Sequence, residues 1–330
     1  MKMTPKVASS FLAGLLLVGC SADDGKHDSV TVYVSADEQI AREVFSAFTI
    51  KTGIEVEWVG DTESSKNTSL VQRLIREKDR PIADVFWSSE ILGTIRLANQ
   101  GIFSSCDSKI TRMWPMQYRD TEFRWFGFSP RARVIAYNPN VVSEEELPKT
   151  WWEYGDAAIA DPRFGTTSTH VAVMAEFPAQ SKLLFETMEM KPLLGGNAAT
   201  VQAVIDGSVL YAMTDTDDVH AAIERGYSIS MFMPRHHNRK GGGTLMIPNT
   251  VGIIKGCNQP ELAMEFLNYL LSDEVATLLA QSTSHNIPIQ PNVAKNFPQL
   301  VIEDPLDVNF QEVSLRYEHQ LSVVMDELSQ

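Results

Sequence analysis

The sequence predicts an α/β protein of two lobes, each a mostly parallel sheet flanked by helices, joined by two crossover strands. Strand and helix patterns alternate along the chain, and the strands are short and rich in β-branched residues. Two extended segments, 125–129 and 244–255, are candidates for strands that cross between the lobes. The same pattern also allows a single large α/β domain.

The first three strands each lead into a helix. Residues 29–35 and 54–59 alternate apolar and polar side chains, and 83–87 is a short apolar run. Ser35 and Glu38 fit a capping box at the start of the first helix, and Gly53 is expected to end it. Helices are also predicted near residues 70–75 and over 91–99. The order βαβαβα is typical of a parallel sheet covered on both faces.

The second half of the chain also alternates predicted strands and helices, but it does not repeat the sequence of the first half. Pro248 interrupts the long segment 244–255. Strands are predicted at 133–138, 209–213 and 228–233, and helices at 181–190, 198–205, 217–225, 261–271 and 273–281.

The N-terminus has the pattern of a secretory signal. Two lysines precede 13 residues without charge, a run shorter than the ~20 residues that a membrane-spanning helix needs. The stretch Leu17-Val18-Gly19-Cys20 then resembles the lipobox of bacterial lipoproteins, which implies cleavage before Cys20 and its acylation. We therefore expect a signal peptide at 1–19, a lipidated tether at 20–28, and an exported protein anchored by lipid to a membrane, facing the periplasm or the cell surface.

The composition is acidic. The chain has 42 acidic and 28 basic residues, and because residues 1–20 carry two lysines and no acid, the remaining 310 residues have a net charge of −16. This balance argues against nucleic acid as a partner and against a basic membrane-docking face. Cys106 and Cys257 are the cysteines beyond the lipobox, and their spacing leaves a disulfide between them open.

Motifs of enzyme chemistry are missing from the sequence. It contains no G-x-S-x-G, no H-E-x-x-H and no P-loop, and the run of glycines at 241–243 precedes a predicted strand rather than a helix. His236 and His237 are adjacent, so in extended chain they point to opposite sides, and we expect them in a solvated loop. The sequence therefore predicts no enzyme and no catalytic cofactor.

Polar side chains collect where predicted strands give way to helices. In open parallel sheets, ligands bind beyond the carboxyl ends of the strands, where helix N-termini present free N–H groups. Local helix capping is the alternative explanation for any one of these positions. The segments are 35–38, 60–63, 88–90, 166–170 and 215–218.

Four stretches of the sequence together resemble a known family. They are TVYVSADEQIAREVFSAFTIKTGIEVEWV, ADVFWSSEILGTIRLANQGIF, WFGFSPRARVIAYNP and GTLMIPNTVGIIKG. They resemble bacterial extracellular solute-binding proteins of the ferric-iron-binding type, which are receptor subunits of ABC importers. The resemblance covers roughly residues 30–290 and implies the type II periplasmic-binding fold, whose two lobes close on ligand about two hinge strands. It also implies permease and ATPase subunits as partners and a monomeric receptor.

The resemblance implies a metal site whose ligand residues differ from those of the family. Members of the family bind iron with a histidine after the first strand, a glutamate after the third strand and an adjacent tyrosine pair. Asp37 stands at the histidine position, and Ser89, followed by Glu90, stands at the glutamate position. Asp217 and Asp218 replace the tyrosines, so the predicted metal ligands are Asp37, Glu90, Asp217 and Asp218.

The resemblance also suggests where an anion would bind. Arg131 and Arg133 match a basic pair near the hinge, and residues 166–170 match the loop that holds an accompanying anion in relatives. We expect one of Asp217 and Asp218 to cap a helix and the other to face the cleft. The expected ligand-binding residues are Ser35, Asp37, Thr62, Ser88, Ser89, Glu90, Arg131, Arg133, Thr167, Ser168, Thr169, Asp215, Asp217 and Asp218.

Three functions stay open at this stage. Carboxylate oxygens suit a hard cation such as Fe(III), with or without a synergistic anion, delivered to a membrane permease. The hydroxyls and arginines would equally suit a small organic ion such as an aminoalkylphosphonate or a sugar phosphate, and a periplasmic sensor subunit is a further alternative. The lobes are expected at 29–129 with 248–300 and at 130–247 with 301–330.

Overall fold

A computed structural model describes residues 28–61, 68–163, 165–188 and 193–327. The strands are β1 (Ser29–Val34), β2 (Glu55–Gly60), β3 (Val85–Ser88), β4 (Phe126–Tyr137), β5 (Tyr211–Asp215), β6 (Ser230–Phe232) and β7 (Met246–Ile253). The helices are α1 (Glu38–Thr52), α2 (Thr68–Arg76), α3 (Leu92–Asn99), α4 (Lys109–Met113), α5 (Gly165–Met174), α6 (Pro178–Met188), α7 (Asn197–Ile205), α8 (Thr216–Glu224), α9 (Pro260–Leu270), α10 (Asp273–Gln281), α11 (Pro291–Ala294) and α12 (Phe310–Glu327). Within these ranges, no helix combines the length and apolar character needed to cross a membrane.

The strands form one hydrogen-bonded path in the order β2-β1-β3-β7-β4-β5, with β6 also paired to β4. In the first lobe β1 is parallel to β2 and β3, as predicted. In the second lobe β5 and β6 are antiparallel to β4, so the expectation of a mostly parallel sheet there is wrong for the named strands. β4 continues from the first lobe into the second, and both of its partners there, β5 and β6, run in the opposite direction.

The two crossing strands are β4 and β7, which pair with each other along both lobes. The predicted segment 125–129 and the predicted strand 133–138 are parts of one continuous strand of 12 residues, β4. The register of the β4–β7 pairing shifts between Phe128 and Arg131. Ser129, within that shift, has a φ of 39°, a strained backbone for a residue with a side chain. The pairing of the two crossing strands is thus interrupted at Ser129 and Pro130.

Alternating side chains of the first sheet supply two cores. Val32, Val34 and Trp87 pack under α1 and α9, whereas Tyr33 and Phe86 point to the opposite face. That opposite face forms a cluster, here called the shared cluster, which also contains residues of α3, α5 and α12. Two further cores cover the faces of β4 and β5 in the second lobe.

The segment after α10 packs in the second lobe. Ile287 and Leu300 join the core that contains Val134 and Ala212. The boundary of the first lobe at residue 300 therefore stays a prediction, and the packing favours an earlier one. Cys106 and Cys257 are free thiols, and burial raises their pKa to about 12 and about 11.

The first helix begins two residues later than the capping box predicts. Asp37, not Ser35, is the N-cap of α1, and its carboxylate accepts from the backbone N–H of Gln39 at 2.9 Å. Gly53 ends the helix in the left-handed conformation with a φ of 78°, as expected. Ser35 instead accepts a hydrogen bond from the backbone N–H of Ser89 at 3.1 Å, which ties β1 to the end of β3.

Candidate functional site

A cleft of about 220 Å³ lies where the carboxyl ends of the first-lobe strands meet the helix starts of the second lobe. Its first-lobe wall includes the start of α1 and the end of β3. Its second-lobe wall includes the first turns of α5, α7 and α8. Of the expected ligand-binding residues, it is lined by Asp37, Ser89, Arg131, Thr167, Asp215, Asp217 and Asp218.

Asp215 is the most buried acid of the cleft, with 1% of its surface exposed. Its Oδ1 accepts from Arg133 Nη1 at 2.9 Å, and its Oδ2 accepts from Arg131 Nε at 3.1 Å and from Asn197 Nδ2 at 2.9 Å. The Thr166 hydroxyl also donates to Oδ2. Burial alone would raise the pKa of Asp215, but the two arginines outweigh it and hold the pKa below its usual range.

Arg131 connects both walls of the cleft. Besides its bond to Asp215, it donates from Nη2 to the backbone oxygen of Ser89 and lies 3.4 Å from an oxygen of Asp217. Burial tends to lower the pKa of Arg131, but Asp217 and Asp215 outweigh it and raise the pKa above its usual value. Arg131 therefore stays charged and holds the second-lobe acids against the end of β3.

Asp215, Asp217 and Asp218 form a cluster of carboxylates whose ligand atoms lie within 4.8 Å of one another. Asp217 and Asp218 sit in the first turn of α8, and both line the cleft. Asp215 is the N-cap residue, but its side chain makes no capping bond. Asp217 Oδ1 instead accepts from the backbone N–H of Asp218 at 3.1 Å, so Asp217 both lines the cleft and satisfies an N–H group of the first turn. The expectation that one aspartate caps and only the other faces the cleft is therefore wrong in dividing the two roles.

Three helices of the second lobe begin at the cleft. Residues 166–170 are not the predicted loop, because they lie in α5, which begins at Gly165. Gly196, which has no side chain, is the N-cap of α7. Gly165 and Gly196 both line the cleft, and the positive dipole ends of α5 and α7 there are a favourable environment for an anion. The N-terminus of α8 adds a third positive dipole end beside the carboxylates.

Several predicted residues lie behind the cleft wall. Glu90 is buried and caps α3, since its carboxylate accepts from the backbone N–H of Leu92 at 2.7 Å and of Gly93 at 2.8 Å. Thr169 donates to the same carboxylate at 3.0 Å, which joins the two lobes. Glu90 is therefore placed as a helix cap rather than as a metal ligand, and burial raises its pKa.

The remaining predicted residues lie behind the cleft wall or outside the described part of the chain. Ser168 is directed to α12, where its hydroxyl bonds to that of Tyr317. Ser35, Ser88 and Arg133 are buried and support the cleft without lining it. Thr62 and Cys20 lie outside the described residues.

The cleft contains residues that the sequence did not single out. Trp87 Nε1 donates to Asn249 Oδ1 at 3.2 Å, and Asn249 Nδ2 donates to the backbone oxygen of Ser129 at 2.8 Å. These two hydrogen bonds connect the cleft to the register shift in β4. Asn197 and Arg225 also line the cleft. Asn197 follows two glycines at a helix start, and this was the one feature of the sequence that could have marked it as a cleft residue.

Comparisons with known proteins agree with this arrangement. The family described as bacterial extracellular solute-binding protein matches residues 166–306. Iron uptake protein A1 of Synechocystis sp. is 26% identical over 294 residues, covering 82% of this chain and 79% of the relative. The Fe(3+)-binding periplasmic protein of Serratia marcescens is 23% identical, covering 91% and 89%. A putative 2-aminoethylphosphonate-binding periplasmic protein of Salmonella typhimurium is 24% identical, covering 82% and 78%.

Solved structures show the same fold. The ferric binding protein from Campylobacter jejuni superposes with a TM-score of 0.80 at 20% identity, covering 91% of this chain and 99% of that one. The binding protein AfuA of Actinobacillus pleuropneumoniae, with fructose-6-phosphate bound, gives 0.75 at 16% identity, covering 91% and 98%. The chain thus has the type II periplasmic-binding fold, and its resemblance to bacterial extracellular solute-binding proteins of the ferric-iron-binding type is confirmed.

Proposed function

We propose that the protein is the substrate-binding subunit of an ABC importer and captures ferric iron together with an anion in the interlobe cleft. The observation that carries the proposal is the carboxylate cluster at the start of α8, beside Arg131 and the N-termini of α5 and α7. A binding role rather than a catalytic one agrees with the names of the relatives, an iron uptake protein and an Fe(3+)-binding periplasmic protein.

The acids differ in their availability to a cation. Asp215 is already compensated by Arg131 and Arg133, and its Oδ2 accepts three hydrogen bonds. Asp217 and Asp218 are only partly buried and face the cleft. Carboxylate oxygen is a hard ligand suited to Fe(III), so these two acids are the proposed metal ligands, with Asp37 across the cleft as the third.

An anion would complete the coordination of the cation. Two or three carboxylates leave open positions on a six-coordinate ion. The glycine-led starts of α5 and α7 offer N–H groups to a chelating anion such as citrate, and Thr167 adds a hydroxyl. In this arrangement the anion bridges helix dipoles and metal, and the aspartates replace the tyrosine pair of the family.

Thermal unfolding with ferric citrate tests the proposal. A ligand at 100 times its dissociation constant stabilises the native state by ~2.7 kcal/mol. We expect Fe(III)-citrate, but not citrate alone, to raise the midpoint, and the double variant Asp217→Asn/Asp218→Asn to lose that rise. Asp206→Asn, an exposed change at the end of α7, is the matched control and should keep it. An unchanged rise in the double variant would contradict the assignment of these ligands.

A zwitterionic organic ligand is the second candidate. The helix N-termini and Arg131 would hold a phosphonate or phosphate, and Asp217 and Asp218 would receive an ammonium group. One relative named for 2-aminoethylphosphonate and one similar structure with fructose-6-phosphate bound support this possibility. Calorimetric binding of 2-aminoethylphosphonate by a sample that ignores ferric citrate would favour it over iron.

We further propose that the protein is lipid-anchored through Cys20, is monomeric, and docks on a permease served by an ATPase subunit. The variant Cys20→Ser should be recovered folded and monomeric in the soluble fraction, whereas the unchanged protein should fractionate with membranes. Recovery of Cys20→Ser in the membrane fraction would contradict the anchor.

A further inference from the structure

Two histidines that the ligand site does not use are buried directly behind it. His236 is not in a solvated loop as expected, since it has 1% of its surface exposed, as has His170. Arg133 Nε donates to His170 Nδ1 at 3.2 Å, and the two Nε2 atoms of the histidines are 3.4 Å apart. His236 Nδ1 lies 2.9 Å from the backbone oxygen of Gly243. These contacts form a chain from the cleft to the loop before β7, here called the histidine relay.

The hydrogen-bond partners allow one assignment of protons. A guanidinium only donates, so His170 Nδ1 must be the acceptor and its proton must sit on Nε2. That proton is directed to His236 Nε2, which must then accept. His236 therefore carries its proton on Nδ1 and donates it to the Gly243 oxygen. Both rings are neutral, and each donor in the chain meets an acceptor.

The surroundings of the relay favour neutral rings. The indole of Trp151 packs against both imidazoles, with ring centroids 4.4 Å from His170 and 5.8 Å from His236. Burial and then the positive charge of Arg133 lower the pKa of His170 well below its usual value. Burial, opposed by the Gly243 bond and aided by neighbouring His237, lowers the pKa of His236 to about 4.

Arg133 depends on this support. Its Nη1 carries the bonds to Asp215, Thr166 and Asn197, and its Nη2 meets no hydrogen-bond partner among the described residues. The bond from Nε to His170 is thus the second anchor of the guanidinium. Without an acceptor at that point, two buried donor groups would be unpaired and the guanidinium could rotate about its bond to Asp215.

We propose that His170 and His236 are positioning residues that fix the Arg133 guanidinium and, through it, the cleft-facing geometry of Asp215. Neither histidine lines the cleft. Their effect on ligand affinity rests on the proposed binding function, whereas their effect on Arg133 does not.

Two matched substitutions separate positioning from simple packing. In His170→Asn the amide oxygen takes the place of Nδ1 on Cγ, so an acceptor for Arg133 remains. In His170→Leu no acceptor remains, although more apolar volume is kept. If His170 only filled space, Leu would be the better substitute; if it positions Arg133, Asn is.

The first measurement is nitrogen-15 NMR of the Cys20→Ser protein with labelled histidine and arginine at pH 7. We expect the Nε2–H tautomer at His170, the rarer Nδ1–H tautomer at His236, and a slowly exchanging Nε–H of Arg133. That Arg133 signal should persist in His170→Asn and exchange at least tenfold faster in His170→Leu. An Nδ1–H tautomer or an imidazolium at His170, or equal exchange in the two variants, would overturn the proposal.

Ligand binding provides the second measurement. Calorimetry with Fe(III)-citrate and with 2-aminoethylphosphonate should give an affinity in His170→Asn within threefold of the unchanged protein and at least tenfold weaker in His170→Leu. Equal affinity in His170→Leu would overturn the positioning role. If the unchanged protein binds neither probe, the proposed ligands fail, and the exchange of Arg133 Nε–H still decides the relay.

Discussion

Replacing Asp215 by asparagine should lower the free energy of unfolding substantially, although the size of the side chain stays nearly the same. Asp215 is the shared counter-ion of Arg131 and Arg133, whose side chains are 9% and 0% exposed. Asparagine keeps the size and one acceptor oxygen but removes the charge. Taking one partner from a buried ion pair costs about 3–5 kcal/mol, because the remaining charge stays buried without compensation.

Urea unfolding followed by circular dichroism at pH 7 measures this loss. In a parallel thermal melt, a cost of about 3–5 kcal/mol corresponds to a midpoint about 4–8 °C lower, because unfolding a chain of this size carries an entropy of about 0.7 kcal/mol/K. Asp37→Asn is the control, because Asp37 lines the same cleft but asparagine caps a helix about as well as aspartate, so a change within about 0.5 kcal/mol is expected. A loss below about 1 kcal/mol for Asp215→Asn would refute the argument that one carboxylate compensates both arginines.

Two further substitutions test groups behind the cleft. Because His236 stays neutral in the folded protein down to about pH 4, the unfolded state binds more protons between pH 6.5 and 4, and stability falls as the pH is lowered through that window. At about 1.4 kcal/mol per pH unit, the free energy of unfolding falls by about 3 kcal/mol across this window. The His236→Gln protein should not show this fall when both proteins are unfolded in urea at each pH. An equal fall in the two proteins would contradict the assignment. Glu90→Ala should cost about 1–3 kcal/mol, since it leaves the N–H groups at the start of α3 and the Thr169 hydroxyl without their acceptor. A Glu90→Ala protein as stable as the original would show that this cap contributes nothing.

The fold was predictable where the signal was local. Alternation in β1 and β2, and Gly53 after α1, are decided by neighbours in the chain, and the structure agrees with them. The crossing of β4 was predictable only in part, because Pro130 divides its sequence into two apparent strands although proline here lies at a shift of register. The antiparallel pairing of the second lobe depends on the direction in which that strand enters, which no local pattern records.

The site was less predictable because its decisive contacts are distant in sequence. Asp217 and Asp218 could be selected since acids at a helix start are conspicuous, but the ion pairs of Asp215 beside them join residues 84 and 82 apart in the sequence. Glu90 was predicted as a ligand because it follows Ser89, which stands where the family has a glutamate ligand. In the structure its carboxylate instead binds the backbone N–H groups at the start of α3. His170 and His236 are 66 residues apart, so only the fold reveals that they meet.

The shared cluster has a consequence for how the molecule comes apart. Residues of α3 from the first lobe, Ala172 and Val173 of α5 from the second, and Val313 of α12 all belong to it. Its apolar surface becomes exposed if either lobe unfolds alone, so the lobe that stays folded loses packing without gaining the chain entropy that its own unfolding would release. The two lobes are therefore expected to melt as one cooperative unit, with a single calorimetric peak.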